Sequence, residues 1–362
     1  MDKFAFIIHP IELNDIYRKY KSLKFLPDKF VEKLVTKIKP SIVSEITNIK
    51  GNSSVAEGMF IGLPLTSKLI MELPEEKVIK KIIEAGKIAE RTGAKILGLG
   101  AFTSVVGDAG ITVAKNLDIS VTTGNTYTVA AAFDATREAL KLLGKKLEDC
   151  HVAIVGATGS VGKVCAELTC REASKITLVA RDPVKLKEVQ DGLNKKYQNK
   201  SIEITISVED GIKDADAVIT VTSSTSDIVR PEFIKTGAVV CDVARPRDVS
   251  KDVQEKRRDV LVIEGGVIEV PEGTNFNFNF GFPPGLSYAC MAETMILALE
   301  GKYENYSLGR EIEIKKVDEI RRLADKHGFR LAGLRSFERV IDEEYIQSVM
   351  AATENRGYLS QN

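Results

Sequence analysis

The sequence predicts an α/β protein in which a doubly wound parallel sheet follows a separate α/β layer, and three observations carry that expectation. Strand-length apolar runs alternate with amphipathic stretches along nearly the whole chain. At 150–181 an apolar run, a glycine-rich turn, a helical pattern and a second apolar run follow one another directly. That is the order of a βαβ unit of about 30 residues. The chain has 362 residues, 44% of them hydrophobic, enough for two domains with a core each.

Residues 4–8 read as a strand, then 11–20 and 27–37 as helices. Residues 41–49 alternate as a strand does, Gly51 to Ser54 suit a hairpin turn, and 56–63 return. Over 75–92, Val78, Ile82, Ile83, Ala85, Ile88 and Ala89 recur at helical spacing among Glu and Lys. A strand at 95–99 leads into the small polar turn 100–104, which includes Thr103 and Ser104. Such turns face ligands in α/β layers. A short strand at 120–123 precedes Gly124, Asn125 and Thr126, which open a helix running to Leu143 as a connector.

The glycine-rich turn joins Gly156, Ala157, Thr158, Gly159, Ser160, Val161 and Gly162. Gly156 allows a tight turn, Gly159 lets the backbone approach a pyrophosphate, and Gly162 brings helix close to strand. Orphan N–H groups of the helix's first turn then point at phosphate. The bland alternative is a tight turn without a ligand. The second strand ends in Ala180, Arg181 and Asp182, where a site for the unphosphorylated ribose carries an acid. A guanidinium at Arg181 suits a 2′-phosphate, so NADP(H) is the expected cofactor. The alternative leaves Arg181 solvated and makes Asp182 the ribose ligand or a helix cap.

A helix at 183–197 and strands at 202–206, 217–221, 239–242 and 260–263 continue the alternation. Residues just past the strand ends border a ligand in this fold. Thr222, Ser223, Ser224, Val243 through Arg245, Gly265 and Gly266 are therefore expected at the nicotinamide half. The run 274–284, rich in Phe, Asn and Gly, reads as a pocket loop. The expected organisation is a substrate domain at 1–144, a Rossmann NADP(H)-binding domain at 145–285, and C-terminal helices at 286–362.

Fifty-one Lys and Arg balance 51 Asp and Glu, which argues against nucleic acid or an anionic membrane as the main partner. No apolar run approaches a membrane span, and the N-terminal run is short for a signal peptide. Five cysteines without paired spacing point to reduced thiols in a cytoplasm. Three scattered histidines argue against a zinc site, so no metal is expected.

One cysteine stands apart. After Pro283 and Pro284, Ser287 is a good N-cap, which would put Cys290 at the third position of an apolar helix. Orphan N–H groups and the helix dipole there would lower its thiol pKa and allow attack on a thioester or aldehyde carbon. The alternative is a small core residue. Cys150, Cys165, Cys170 and Cys241 read as structural.

GAFTS at 100–104, TTGNTYT at 122–128, VAIVGATGSVG at 152–162, LVAR at 178–181, EGGV at 264–267, YACMAETMILALEG at 288–301 and RLADKHGF at 322–329 occur together. In that order they resemble the long-chain fatty acyl-(acyl-carrier-protein) reductases best known from cyanobacteria. The likeness covers roughly 4–334. It implies NADPH-dependent reduction of an acyl thioester to an aldehyde, with Cys290 as the acylated residue. It also implies an acyl-carrier protein or coenzyme A thioester as partner. Thr103, Ser104, Asn125 and Thr126 are then candidate substrate or oxyanion ligands, against ordinary turn and capping work. The chain departs from the family in a shorter 105–121 segment, in Tyr127 where histidine is expected, and in the loop at 274–284. All three are expected to border the acyl chain, so the resemblance speaks for the reaction type more than for a long-chain substrate. The tail 336–362 extends past the likeness, with a helix at 336–350 suited to packing or homo-oligomerisation.

Two other readings stand beside this one. The run from Gly62 to Lys68 resembles the catalytic-lysine turn of shikimate- or quinate-type dehydrogenases, with Lys68 as general acid/base for a ring alcohol. A dinucleotide-binding protein without catalysis is the other, because fold alone does not settle function. Lys315, Lys316, Arg321, Arg322 and Lys326 are interspersed with acids, as on a solvated helix face rather than a carrier-protein dock.

Overall fold

A computed structural model describes residues 2–224, 226–244, 247–337 and 339–359. The chain forms two compact units. The first comprises Met1–Tyr127, Ile268–Ile312 and Glu319–Arg330, and the second Thr128–Val267, Glu313–Asp318 and Leu331–Asn362. The chain thus returns to its first unit at Ile268, before the boundary at 285 that the sequence reading set.

In the first unit the elements are β1 (Asp2–Ile8), α1 (Leu13–Lys19), α2 (Asp28–Val35), β2 (Ser41–Lys50), β3 (Val55–Gly62), α3 (Ser67–Glu72), α4 (Glu75–Arg91), β4 (Ile96–Gly98), α5 (Ile111–Lys115) and β5 (Ser120–Thr122). Helix α6 (Asn125–Leu142) begins here, and the division between units falls inside it. The sheet order is β2-β3-β1-β4-β5, parallel except for the β2–β3 hairpin. The core includes Ile7, Ile61, Val78, Ile82, Ala85 and Leu97, so α4 buries the stripe its spacing predicts.

The second unit holds β6 (His151–Val155), α7 (Ser160–Glu172), β7 (Lys175–Val179), α8 (Pro183–Lys196), β8 (Ser201–Thr205), α9 (Val208–Ile212), β9 (Ala217–Thr220), β10 (Val239–Asp242), α10 (Lys251–Lys256) and β11 (Leu261–Glu264). All six strands are parallel, in the order β11-β10-β9-β6-β7-β8. This is the expected doubly wound sheet, and its strand order reverses between β6 and β9, where such folds bind ligands. Strands β6, β9, β10 and β11 are buried almost throughout, which is why they read as continuous apolar runs.

Back in the first unit, α11 (Ala289–Glu300) packs on β1, β3 and β4. It is buried on all sides from Met291 to Leu299, which accounts for its uniformly apolar sequence. The later helices are α12 (Ile314–His327) and α13 (Glu343–Leu359). The helix expected at 336–350 therefore starts at Glu343. The end of the tail, 360–362, lies outside the described residues. No helix among the described residues is long and apolar enough to cross a membrane.

Close contacts in the first sheet depend on missing side chains. Gly58 pairs with Phe4, and a Cβ on Gly58 would lie 2.3 to 2.5 Å from three atoms of the Phe4 ring. Gly58→Ala should therefore lower the thermal midpoint, at a cost of about 1–3 kcal/mol, because the ring is fully buried and has nowhere to go. Thermal unfolding followed by circular dichroism checks this, and an unchanged midpoint would show that the ring can move.

Candidate active site

The thiol expected to react lies in the first unit. The chain stays extended through Tyr288, with φ −73° and ψ 147°, so Tyr288 rather than Ser287 holds the N-cap position. The Ser287 hydroxyl instead lies 3.3 Å from the Tyr288 carbonyl oxygen, and Cys290 falls at the second helical position rather than the third. Cys290 is half-buried while the other four cysteines are buried, and all five are free thiols.

Gly124, at φ +73°, is pressed against Cys290: a Cβ there would lie 2.2 Å from the Cys290 Cβ. Only glycine suits both that φ and that distance. The N-terminal ends of α6 and α11 thus meet at the cysteine, each with orphan N–H groups and a positive dipole end. What holds them together is Glu293, fully buried one turn further along α11. Its Oε1 accepts hydrogen bonds from the Thr122 hydroxyl at 2.5 Å and the Ser307 hydroxyl at 2.8 Å. Its Oε2 accepts the Tyr127 N–H at 2.7 Å. Burial raises the Glu293 carboxyl above the usual range, and these donors oppose the rise.

The thiol does not titrate as expected. Burial pushes Cys290 up to about 12 and Glu293 adds to the rise, while the N–H groups of Met291, Cys290 and Ala101 pull the other way. The expected lowering is thus overturned, because the N–H groups at the helix end are outweighed. Gly124 packs on the Cys290 Cβ, and desolvation by burial outweighs the N–H groups of the helix end.

Of the candidate ligands, two are engaged within their own turn. The Thr103 hydroxyl donates to the Gly100 carbonyl at 2.8 Å and accepts the Gly100 N–H at 3.0 Å, and the Ser104 hydroxyl donates to the Ala101 carbonyl at 2.7 Å. That is turn work. Asn125 is half-buried at the start of α6 beside Gly124. Thr126 Oγ1 is buried with no hydrogen-bond partner among the described residues, a state natural sites rarely leave unused.

The glycine loop lies in the second unit, after β6. Gly156 adopts φ +91°, and its N–H and that of Ala157 donate to the Val179 carbonyl. A Cβ on Gly162 would lie 2.1 Å from the Gly156 oxygen, so the third glycine does bring α7 onto the loop. Gly159 is the N-cap of α7 and is exposed, with Thr158, Ser160 and Val161 half-exposed around it. A Cβ on Gly156 would lie 3.0 Å from the Val221 oxygen, which puts the loop at the switch between β6 and β9. With the Gly156 and Ala157 N–H groups given to Val179, the donors that suit a pyrophosphate are those of the first turn of α7 at Ser160, Val161 and Gly162.

Beyond β7, Ala180 is half-buried and Arg181 exposed. Asp182 caps α8, accepting the Val184 and Lys185 N–H groups at 3.0 and 3.1 Å. Its oxygen is thus taken by the helix.

Asp248, buried and missed by sequence reasoning, organises the β9 end. It accepts from the Thr220 hydroxyl, the Thr222 N–H and the Thr222 hydroxyl at 2.5, 3.0 and 2.5 Å. Thr222 therefore shapes the loop, Ser223 is exposed, and the Ser224 hydroxyl turns to the Ser226 carbonyl. Val243 lies under Gly265, where a Cβ would come 2.6 Å from its Cγ2, and Gly266 takes φ +88°. Arg245 lies outside the described residues. Buried acids such as Asp242 and Asp248, six residues apart after a strand, are the signal a closer reading could have used.

Lys68 stands at the start of α3, exposed and ion-paired with Glu32 at 3.0 Å, and Glu32 raises its ammonium above the ordinary value.

The Shikimate / quinate 5-dehydrogenase family model matches residues 137–264, which takes in the glycine loop but neither Lys68 nor Cys290. Aminotransferase PigE of Serratia sp. is 29% identical over 359 residues, 95% of this chain, and the chain spans 41% of that protein's length. A long-chain acyl-[acyl-carrier-protein] reductase of Synechococcus elongatus is 28% identical over 305 residues, 80% of this chain and 87% of that protein. Quinate dehydrogenase from Corynebacterium glutamicum, solved with NAD, aligns over 89% of this chain and 98% of its own at a TM-score of 0.39 and 12% identity. The family match and the reductase relative, with the glycine loop, support an NAD(P)-dependent oxidoreductase.

A thiol held near 12 stays protonated at neutral pH. Alkylation of Cys290 in the free protein should therefore rise about tenfold per pH unit from pH 7 to 10 without a plateau. Mass spectrometry of iodoacetamide-treated protein reads this, and a plateau near pH 7 would mean an activated thiolate already exists.

Proposed function

We propose that this NAD(P)-dependent oxidoreductase reduces an acyl thioester, carried on acyl-carrier protein or coenzyme A, to an aldehyde through a Cys290 acyl-enzyme, using NADPH. The support that weighs most is the meeting of two helix N-termini at one half-buried cysteine, with Gly124 against its Cβ. Similarity to the acyl-carrier-protein reductase over 80% of this chain points the same way.

Cys290 attacks the thioester carbon, the bond to the carrier sulfur breaks, and the proton lost by Cys290 leaves on the carrier thiol. With the thiol near 12, that proton must move as the bond forms, rather than beforehand. The tetrahedral oxyanion is stabilised by donors already oriented at the two helix ends. The Ala101 N–H faces the sulfur, and Asn125 and the unpartnered Thr126 hydroxyl are the side chains we assign to the oxygen. When bound, the dihydronicotinamide supplies the hydride that the acyl carbon takes up. Collapse then releases the aldehyde and returns Cys290 as thiolate, which regains a proton. Glu293 touches neither sulfur nor substrate in this scheme; it positions Tyr127 and Thr122 around the thiol.

Arg181 supports NADPH over NADH. Its guanidinium is exposed just past β7, and the neighbouring acid is taken up by the cap of α8. The alcohol-dehydrogenase reading needs a poised base at Lys68, and an exposed ammonium raised by Glu32 is not one.

NADPH oxidation should depend on added acyl thioester, and Cys290→Ala should abolish it while leaving NADPH binding intact. Turnover that survives this substitution, or none with thioesters of any length, would overturn the proposal. For the cofactor, Arg181→Ala should raise the KM for NADPH by about tenfold or more and leave that for NADH nearly unchanged, the size expected for losing charge-assisted bonds to a 2′-phosphate. Equal effects on both cofactors would place Arg181 away from the ribose.

A further inference from the structure

The charge balance of the whole chain hides a local excess. Between positions 21 and 39 there are six lysines and only two acids, Asp28 and Glu32, so this short stretch is basic within a chain of zero net charge. All six lysines are exposed. The two acids are already engaged, Asp28 by the Tyr17 hydroxyl at 2.7 Å and Glu32 by Lys68 at 3.0 Å.

Large apolar side chains stand among these lysines. Phe25 is 90% exposed and Phe30 54%, with Leu26, Leu34 and Ile38 also exposed. Helix α2 turns two apolar rows in different directions. Val31 and Val35 are buried in the core, whereas Phe30 and Leu34, one turn apart, face outward. A phenylalanine this exposed gains nothing from folding, and contiguous exposed apolar patches mark interaction surfaces.

The residue types distinguish the partner. Protein interfaces favour arginine and tyrosine and are depleted in lysine. Every cation in 21–39 is lysine, and the aromatic residues are phenylalanine. Lysines with phenylalanine and leucine are the composition of a surface that lies on lipid, with the stems along apolar groups and the ammonium heads on phosphate. We propose that the face formed by residues 21–39 docks on an anionic lipid bilayer, with Phe25, Phe30 and Leu34 entering the interface and the lysines against the headgroups. The docking is peripheral and requires neither cofactor nor thioester, so it stands or falls independently of the reaction.

The test is co-sedimentation of the full-length protein with vesicles of phosphatidylcholine alone, or of phosphatidylcholine and phosphatidylglycerol in equal parts. Binding is expected to the mixed vesicles, to fall as salt rises, and to weaken about fivefold for each of Lys24→Gln, Lys29→Gln and Lys33→Gln. Phe25→Ser and Phe30→Ser should each weaken it by about tenfold or more, with the thermal midpoint unchanged because both rings are exposed. No binding to mixed vesicles overturns the proposal, as does binding that these variants leave unaltered. Two other outcomes also overturn it: loss of an oligomer in light scattering on Phe25→Ser without any vesicle binding, and binding of these lysines to an acidic carrier protein alone.

Discussion

A fully buried carboxyl group at Glu293 is the constraint on which the thiol centre depends. Taking a carboxylate out of water is costly unless its oxygens are occupied. Here hydroxyls from Thr122 and Ser307 and the Tyr127 N–H occupy them. Meeting that demand fixes the turn 122–127 against α11, and Gly124 then has no alternative but to lie on Cys290. The same carboxyl also contributes to the high thiol pKa, so the clamp that builds the centre also restrains it at rest.

Close backbone approach recurs wherever geometry matters. Gly98 leaves room for the Thr294 hydroxyl, 2.1 Å from where a Cβ would be, and so lets α11 settle on β4. Gly162 does the same between α7 and the loop after β6. In the second unit a buried acid again organises a loop. Asp242 accepts the Ala244 and Val249 N–H groups, and that turn delivers Asp248 to the threonines at the end of β9. Burial raises Asp248, as it does Glu293. Both are positioning groups whose energetic demand is met by a specific loop shape.

Much of the fold was legible because its signals are local. Strand-length apolar runs, the spacing of apolar residues over α4 and the three glycines after β6 each report a backbone requirement within a few residues. The N-cap of α11 is where a local rule failed. Ser287 looks like an N-cap, but the chain stays extended for one residue more and Tyr288 takes the position. The Thr103 and Ser104 hydroxyls are engaged within their own turn and that of Thr222 by Asp248, bonds that residue type alone does not announce. Asp182 was open to either role, ribose ligand or helix cap, and its Oδ1 caps α8.

By itself the sequence determined the alternation of strands and helices, the glycine loop and the cysteine on a helix's first turn. These follow from side-chain periodicity and from backbone conformations that few residues accept. Only the tertiary structure decided the electrostatic state of that cysteine. A helix end acts over one turn and can be read from neighbours, whereas desolvation depends on everything packed around the sulfur. Gly124 lies on the Cys290 Cβ and Glu293 raises the thiol further, and the Thr122 to Glu293 bond alone joins positions 171 residues apart.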